Sequence, residues 1–174
     1  MPPAHLRPAA VLPGSFNPLH RGHRLLAEVA GRRVGSPVHY ELSVSNVDKP
    51  DLGGDEVARR LAQFAGVAAV WVTRAATFMA KAELFPGTAF VLGFDTAARL
   101  IDPKYYGGVG GRDAALRALL DRRCRVLVGG RVDAAGVFRV WDDLRPTYRE
   151  LFDAIPEGEF RADVSSTELR RRGG

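Results

Sequence analysis

Short apolar runs alternate along the chain with stretches whose apolar residues recur three and four positions apart. The segment Leu25–Ala30 has that second spacing, which is typical of one helix face, whereas Val38–Val44 alternates as a half-buried strand does. The strands predicted in this way are Ala9–Pro13, Val38–Val44, Val67–Val72, Ala89–Leu92 and Arg125–Val128. The predicted helices are the one that contains Leu25–Ala30, then Asp55–Ala65, Thr77–Leu84, Thr96–Ile101, Arg112–Asp121, Thr147–Ala154 and Ser166–Arg172. Strands and helices that alternate over short connections predict an α/β fold, a parallel sheet with helices on both faces.

The length of the chain favours a single domain. Its 174 residues fit one hydrophobic core of ordinary size, so residues 1–174 are predicted to form one domain. Glycine and proline are scattered, and their densest cluster, Tyr105–Gly111, lies inside the α/β pattern. We therefore predict a mobile loop at this cluster and no domain boundary.

Composition and charge narrow the class of protein. With 46% apolar and 26% charged residues the chain is typical of a globular protein, and it has no apolar run of the ~18–20 residues that span a membrane. No secretory signal is evident, which predicts a cytoplasmic protein. The net charge of +5 favours anionic ligands, but the arginines are not gathered into a polybasic tract, so no nucleic-acid partner is expected. The single Cys124 is predicted to pack in a strand.

Candidate chemistry concentrates between the first strand and the first helix, in the segment Gly14–His23 (GSFNPLHRGH). Ligands of open α/β sheets bind outside the carboxyl ends of strands, where this segment lies. Gly14 permits a sharp turn, and Gly22 leaves room for an anion near the backbone. His20 and His23 are three apart, so both imidazoles face one side of a helix start, near the positive end of its dipole. This arrangement suits a phosphate group.

Two other interpretations of the segment are open. Two incidental histidines beside a Gly/Pro turn, one of them capping the helix, are common in proteins. A zinc pair is less consistent, because such histidines usually stand four apart with a carboxylate nearby. The joint pattern resembles the G-x-F-x-P-x-H-x-G-H signature of the HIGH-motif nucleotidyltransferase superfamily, with Asn17 where many members have aspartate. The resemblance implies a Rossmann-like fold in which Gly14, Ser15, Phe16, Asn17 and Gly22 contact a nucleotide and His20 and His23 are catalytic.

A second motif lies near the other end of the chain, at Asp163–Arg170 (DVSSTELR). By residue type it is a strand end followed by a capping box, a common helix start. It also resembles the ISSTxIR motif of the adenylyltransferase branch of the same superfamily. That resemblance implies that Ser165, Ser166 and Thr167 bind the β- and γ-phosphates of ATP together with Arg170.

Shorter matches add five candidate residues. Gly93 and Asp95 resemble the family's G-x-D element beside the nucleotide ribose, although an aspartate here also caps a helix. Lys49 resembles the lysine that neutralises phosphate charge, or it is a solvated loop residue. Trp71 is a candidate to stack on a pyridine or adenine ring, with core packing as the alternative. Arg74 is a candidate ligand of an acceptor phosphate, or surface charge.

The combined resemblance implies transfer of AMP from ATP to a small phosphorylated acceptor, with release of pyrophosphate and with Mg²⁺ bound through the ATP phosphates. The acceptor predicted is nicotinamide or nicotinate mononucleotide. The bacterial S-Y-T-x-D-T-L stretch is missing, since Ala75–Phe78 takes its place, and no cytidylyltransferase R-T-E-G-I-S-T-T element occurs. The alternatives are another acceptor or CTP on the same fold, and a nucleotide-binding module without catalysis.

Overall fold

The computed structural model describes residues 7–45, 50–133, 135–144 and 148–161. The strands are β1 Ala10–Pro13, β2 Val38–Ser43, β3 Val70–Thr73, β4 Ala89–Gly93, β5 Arg125–Gly129, β6 Arg131–Val132, β7 Phe138–Arg139 and β8 Phe152–Ile155. The α-helices are α1 Arg21–Val34, α2 Gly54–Ala62, α3 Phe78–Leu84, α4 Phe94–Ile101 and α5 Val109–Asp121. Short 3₁₀ helices cover Pro103–Tyr106, Trp141–Leu144 and Arg149–Leu151.

Six strands form one parallel sheet in the order β3-β2-β1-β4-β5-β8. The chain first builds outward from β1 to β3, then crosses back to place β4 beside β1 and builds in the other direction. The order therefore reverses between β1 and β4, and in sheets of this kind the ligand crevice lies at the carboxyl ends of those two strands. The predicted α/β class is confirmed, and the fold is Rossmann-like.

Alternate residues of the central strands enter two separate cores. Leu12 and Val91 face α1 and the end of α2, whereas Val11 and Phe90 face α3, α4 and α5. All four side chains are almost completely buried. Because the sheet is covered on both faces, its central strands are continuous apolar runs, and this is the pattern that the sequence displays.

The glycine-rich segment Tyr105–Gly111 was predicted as a loop, and the structure corrects this. Tyr106 ends a 3₁₀ helix and donates a hydrogen bond from its hydroxyl to the carbonyl of Leu100 (2.9 Å). Gly107 and Gly108 have positive φ values, and Gly111 is already inside α5. A Cβ on Gly111 would lie 2.1 Å from the carbonyl oxygen of Tyr106. The glycines therefore allow a tight turn and close packing.

The predicted helix Thr147–Ala154 is wrong. Arg149–Leu151 forms one 3₁₀ turn, and the next four residues are β8, which pairs in parallel with β5 and buries Phe152 and Ile155. An open sheet edge beside β5 thus overrides local helical spacing. The predicted helix Ser166–Arg172 lies outside the described residues. No helix in the described part of the chain is long and apolar enough to cross a membrane.

Candidate functional site

The loop after β1, residues 14–20, covers the side chain of one of its own residues, Phe16. The Gly14 amide donates to the carbonyl of Glu41 on β2 (3.0 Å), which extends the β1–β2 pairing by one bond. Phe16 is fully buried with a positive φ of 46°, a conformation that bulky residues rarely adopt. A Cβ on Gly14 would lie 2.8 Å from the Phe16 ring, so this position requires glycine.

Phe16 anchors the loop in the core between α1 and α2. Its ring meets those of His23, Tyr40 and Phe64 edge to face, with centroid distances of 5.2, 5.4 and 5.1 Å. Such edge-to-face contacts stabilise an aromatic cluster beyond the burial of its area. Phe16 was predicted to contact a nucleotide, but its side chain is fully buried beneath the loop.

His20 and His23 begin α1 as a reciprocal pair of caps. Nδ1 of His20 accepts a hydrogen bond from the Gly22 amide (3.1 Å), and Nδ1 of His23 accepts one from the His20 amide (3.3 Å). The two rings are stacked, with centroids 3.7 Å apart and planes 25° apart. The motif is therefore a capping box built from imidazoles, which satisfies two backbone donors at the helix start.

These bonds fix which ring nitrogen carries the proton when each imidazole is neutral. An imidazole whose Nδ1 accepts a hydrogen bond has its proton on Nε2 in the neutral form. Burial lowers the pKa of His20, and burial together with the neighbouring His20 lowers the pKa of His23 to about 3. At neutral pH both rings are therefore neutral, each with its proton on Nε2, at the positive end of α1.

Helix α2 holds the same loop from the other side. Arg60 donates to the carbonyl of Ser15 (2.9 Å), and Arg59 donates to Oδ1 of Asn17 (2.7 Å). Gln63 contacts the backbone of two further loop residues. Both arginines are paired with Glu56. These contacts were not predicted from the sequence, because a polar residue on a helix surface is equally typical of a solvated face.

A buried ion pair beneath the carboxyl edge was also missed. Lys81 on α3 donates to both carboxylate oxygens of Glu41 on β2 (2.9 and 2.7 Å) and to the carbonyl of Ala75 (2.7 Å). The Thr73 hydroxyl donates to the same carboxylate and accepts a hydrogen bond from the Ala75 amide (3.1 Å). The turn after β3 is thus held at both polar atoms of Ala75. The only sequence signal of this ion pair was a glutamate within the strand pattern Val38–Val44.

Gly93 and Asp95 lie at the carboxyl end of β4, the strand next to β1. Gly93 is the N-cap of α4, and Asp95 stands in the first turn of this helix. The Asp95 carboxylate is 62% exposed and is paired with Arg131, which begins the β6–β7 hairpin. Gly14, Gly22 and Asp95 therefore share the edge where the strand order reverses. Arg131 was not among the predicted residues.

Trp71 and Arg74 lie toward the outer edge of the sheet. The Trp71 indole donates to Nδ1 of His39 (3.0 Å) and meets the Phe85 ring edge to face at 5.6 Å. Trp71 on β3 pairs with Glu41 on β2, and His39 lies two residues before Glu41 on that strand. The bond to His39 therefore directs the indole toward the amino ends of the strands. Arg74 is paired with Asp51 (3.1 Å) at the carboxyl edge, and its side chain is 79% exposed.

Five predicted residues, namely Lys49, Ser165, Ser166, Thr167 and Arg170, lie outside the described residues. Within the described ranges no group of three or more His, Cys, Asp or Glu side chains is arranged to hold a metal ion. Cys124 is buried, and burial raises the pKa of its thiol.

No protein-family model matches the chain, and no curated protein matches it. Among solved structures, the chain is similar to nicotinic acid mononucleotide adenylyltransferase of Plasmodium falciparum, complexed with NaAD. The two share 13% sequence identity at a TM-score of 0.52, over 93% of this chain and 82% of that one. At this identity the likeness establishes the fold alone, a Rossmann-like parallel sheet with helices on both faces.

Proposed function

We propose that this chain is a nucleotidyltransferase that moves AMP from ATP to a small phosphorylated acceptor and releases pyrophosphate. The observation that carries the proposal is the His20–His23 pair, two neutral imidazoles with Nδ1 engaged by backbone amides and Nε2–H left as the donor. The pair stands at the start of α1, where the strand order reverses. Helix starts at such positions bind phosphate groups in many α/β proteins.

The proposed reaction needs no covalent intermediate. An acceptor phosphate oxygen attacks the α-phosphorus of ATP in line, a new P–O bond forms, and the bond to the β-phosphate oxygen breaks. The bonding electrons leave with pyrophosphate, and an ionised acceptor has no proton to lose. Catalysis then consists of positioning and of stabilising the charge that grows on phosphate oxygens.

His20 and His23 supply that stabilisation in this proposal. Because both rings are neutral, each offers one Nε2–H to a phosphate oxygen and keeps its orientation through Nδ1. A fixed donor is worth more than a mobile one, since it needs no reorganisation as charge develops. A charged imidazolium would lose the Nδ1 acceptor and therefore its cap.

The remaining nucleotide contacts that we propose come from the interior of the chain and from its last motif. Asp95 is proposed to accept a hydrogen bond from the ribose, for which its exposed carboxylate at the carboxyl end of β4 is suited. Lys49, Ser165, Ser166, Thr167 and Arg170 are proposed to bind the phosphates on the strength of their motifs alone. Mg²⁺ is proposed to enter with ATP as part of the substrate, bound through the phosphates.

The acceptor that we propose is nicotinate or nicotinamide mononucleotide. The fold neighbour described above acts on nicotinic acid mononucleotide, and this supports the choice by analogy. Arg74 at the carboxyl edge is the candidate for the acceptor phosphate. Trp71, the predicted stacking residue, is left out of the proposed site, because its bond to His39 directs the indole away from the carboxyl ends of the strands.

The test is a screen for pyrophosphate release. ATP and CTP are each combined with nicotinate mononucleotide, nicotinamide mononucleotide, phosphopantetheine and sugar phosphates. Release with ATP and a pyridine mononucleotide is the expected result. Activity only with CTP as the donor, or only with another acceptor, would overturn the proposed substrates. The assignment as a nucleotidyltransferase would stand. ATP binding by calorimetry without release in any combination would favour a binding module.

A further inference from the structure

Gln63 joins the end of α2 to the two ends of the segment that leads into the histidine pair. Its side-chain Oε1 accepts a hydrogen bond from the Leu19 amide (2.8 Å), and its Nε2 donates to the Phe16 carbonyl (2.9 Å) and to the Arg60 carbonyl (3.2 Å). A primary amide has one acceptor atom and two donor hydrogens. Gln63 uses the oxygen and the nitrogen together, so it bridges Phe16 and Leu19 as a backbone peptide group would.

The bridge is coupled to the histidines at both of its ends. Leu19 directly precedes His20, whose own amide is capped by His23. At the other end Phe16 carries the ring that packs on His23 (5.2 Å). The distance between Phe16 and Leu19 therefore sets the position of the first residues of α1. It also sets the position of the Phe16 ring that packs on His23.

We propose that Gln63 is a positioning residue for the His20–His23 pair, which acts by holding the backbone of Phe16 and Leu19 at a fixed separation. The inference rests on the proposed function, since it names what orients the groups that would bind the phosphates. Gln63 does not itself contact the imidazoles. Its effect is on the direction of their Nε2–H bonds.

Neighbouring residues of α2 strengthen this role without duplicating it. Arg59 bonds the Asn17 side chain, and Arg60 bonds the Ser15 carbonyl, so each contacts one point of the loop. Among these three residues, Gln63 alone contacts two separate backbone groups of the loop. Loss of the Gln63 side-chain amide should therefore let the distance between Phe16 and Leu19 change. Loss of Arg59 should leave that distance unchanged.

The experiment compares Gln63→Met, which keeps the length of the side chain and removes its hydrogen bonds, with Gln63→Glu, which keeps only the acceptor for Leu19. The matched control is Thr88→Val, which removes a buried hydrogen bond to the Pro8 carbonyl (2.9 Å) at the amino end of β4. NMR titration of the histidine side chains, urea unfolding and steady-state kinetics are measured on each protein.

The expected result in the ligand-free protein is that Gln63→Met raises the pKa of His23 toward its ordinary range. The rise should be smaller in Gln63→Glu at high salt, where the added negative charge is screened, and absent in Thr88→Val. In assays where all proteins are folded, kcat of Gln63→Met should fall about 10- to 100-fold, the cost of a displacement near 1 Å. KM for ATP should change less than about threefold, because a misdirected donor is lost mainly in the transition state.

The two hypotheses fail in different ways. A wild-type protein that releases no pyrophosphate would refute the proposed function, while the histidine titration would still decide the role of Gln63. If Gln63→Met lowers stability as Thr88→Val does and leaves the titration at the wild-type position, Gln63 is a structural residue only. A fall in kcat with unchanged titration would also overturn the inference, because Gln63 would then act by another route.

Discussion

Replacing His23 by glutamine should remove a specific pH dependence from the stability of the protein. In the folded chain the pKa of His23 lies at about 3, against an ordinary value of 6.5, because the ring is buried beside His20. Because the folded pKa is the lower one, the unfolded chain binds the extra proton. The contribution of this ring to stability is therefore present above 6.5 and is lost as the pH falls toward 3.

The size of the loss over an accessible range follows from the two pKa values. Between about pH 7.5 and about pH 5 the unfolded ring becomes almost fully protonated while the folded ring remains neutral, which costs about 2 kcal/mol. This figure depends little on the folded pKa, provided that it lies well below the lower end of the range. Carboxylates with lowered pKa values, such as Glu56, contribute to acid unfolding in both proteins and cancel in the comparison.

The assay is urea unfolding of the wild type and His23→Gln at several pH values across that range. Glutamine offers an acceptor for the His20 amide, so the variant keeps a cap while it loses the titrating group. The wild type should lose about 2 kcal/mol more than the variant between the two ends of the range. Equal losses, within about 0.5 kcal/mol, would refute the buried, neutral state of His23.

Three further predictions concern stability and reactivity. Lys81→Met should lower the free energy of unfolding by about 3–5 kcal/mol, because it leaves the Glu41 carboxylate buried without its cation, and adding Glu41→Gln should restore part of the loss in urea unfolding. Phe16→Ala should cost about 3–5 kcal/mol in the same assay, since it empties a site among three rings, and a loss below about 1 kcal/mol would contradict this packing. The Cys124 thiol should react with a thiol reagent only after unfolding, and rapid labelling of the native protein would contradict its burial.

The fold was predictable because its strands have a repeating pattern. Runs such as Ala89–Leu92 are buried on both faces, and each is followed by helical spacing, so the parallel sheet could be inferred without coordinates. The last strand, β8, was not predictable from local spacing, because only the open edge of β5 selects an extended conformation there. The hairpin of β6 and β7 has strands of two residues each, too short for any periodicity.

The candidate site was predictable where its residues form a contiguous motif and not where they meet across the chain. His20 and His23 are near neighbours in sequence, so their joint position at a helix start followed from spacing. Gln63 contacts Leu19 and Phe16, which are 44 and 47 residues away in the sequence. No local sequence pattern predicts a contact between residues so far apart. The Glu41–Lys81 pair, 40 residues apart, is hidden for the same reason.

The most direct test of the central claim is the rate of pyrophosphate release by His23→Ala, measured beside the wild type with ATP and an acceptor that supports turnover. Folding of the variant is verified by thermal unfolding before the assay. If His23 is a fixed donor to the reacting phosphates, its removal should lower the rate by about 10²–10³. Turnover close to that of the wild type would contradict the role assigned to the histidine pair.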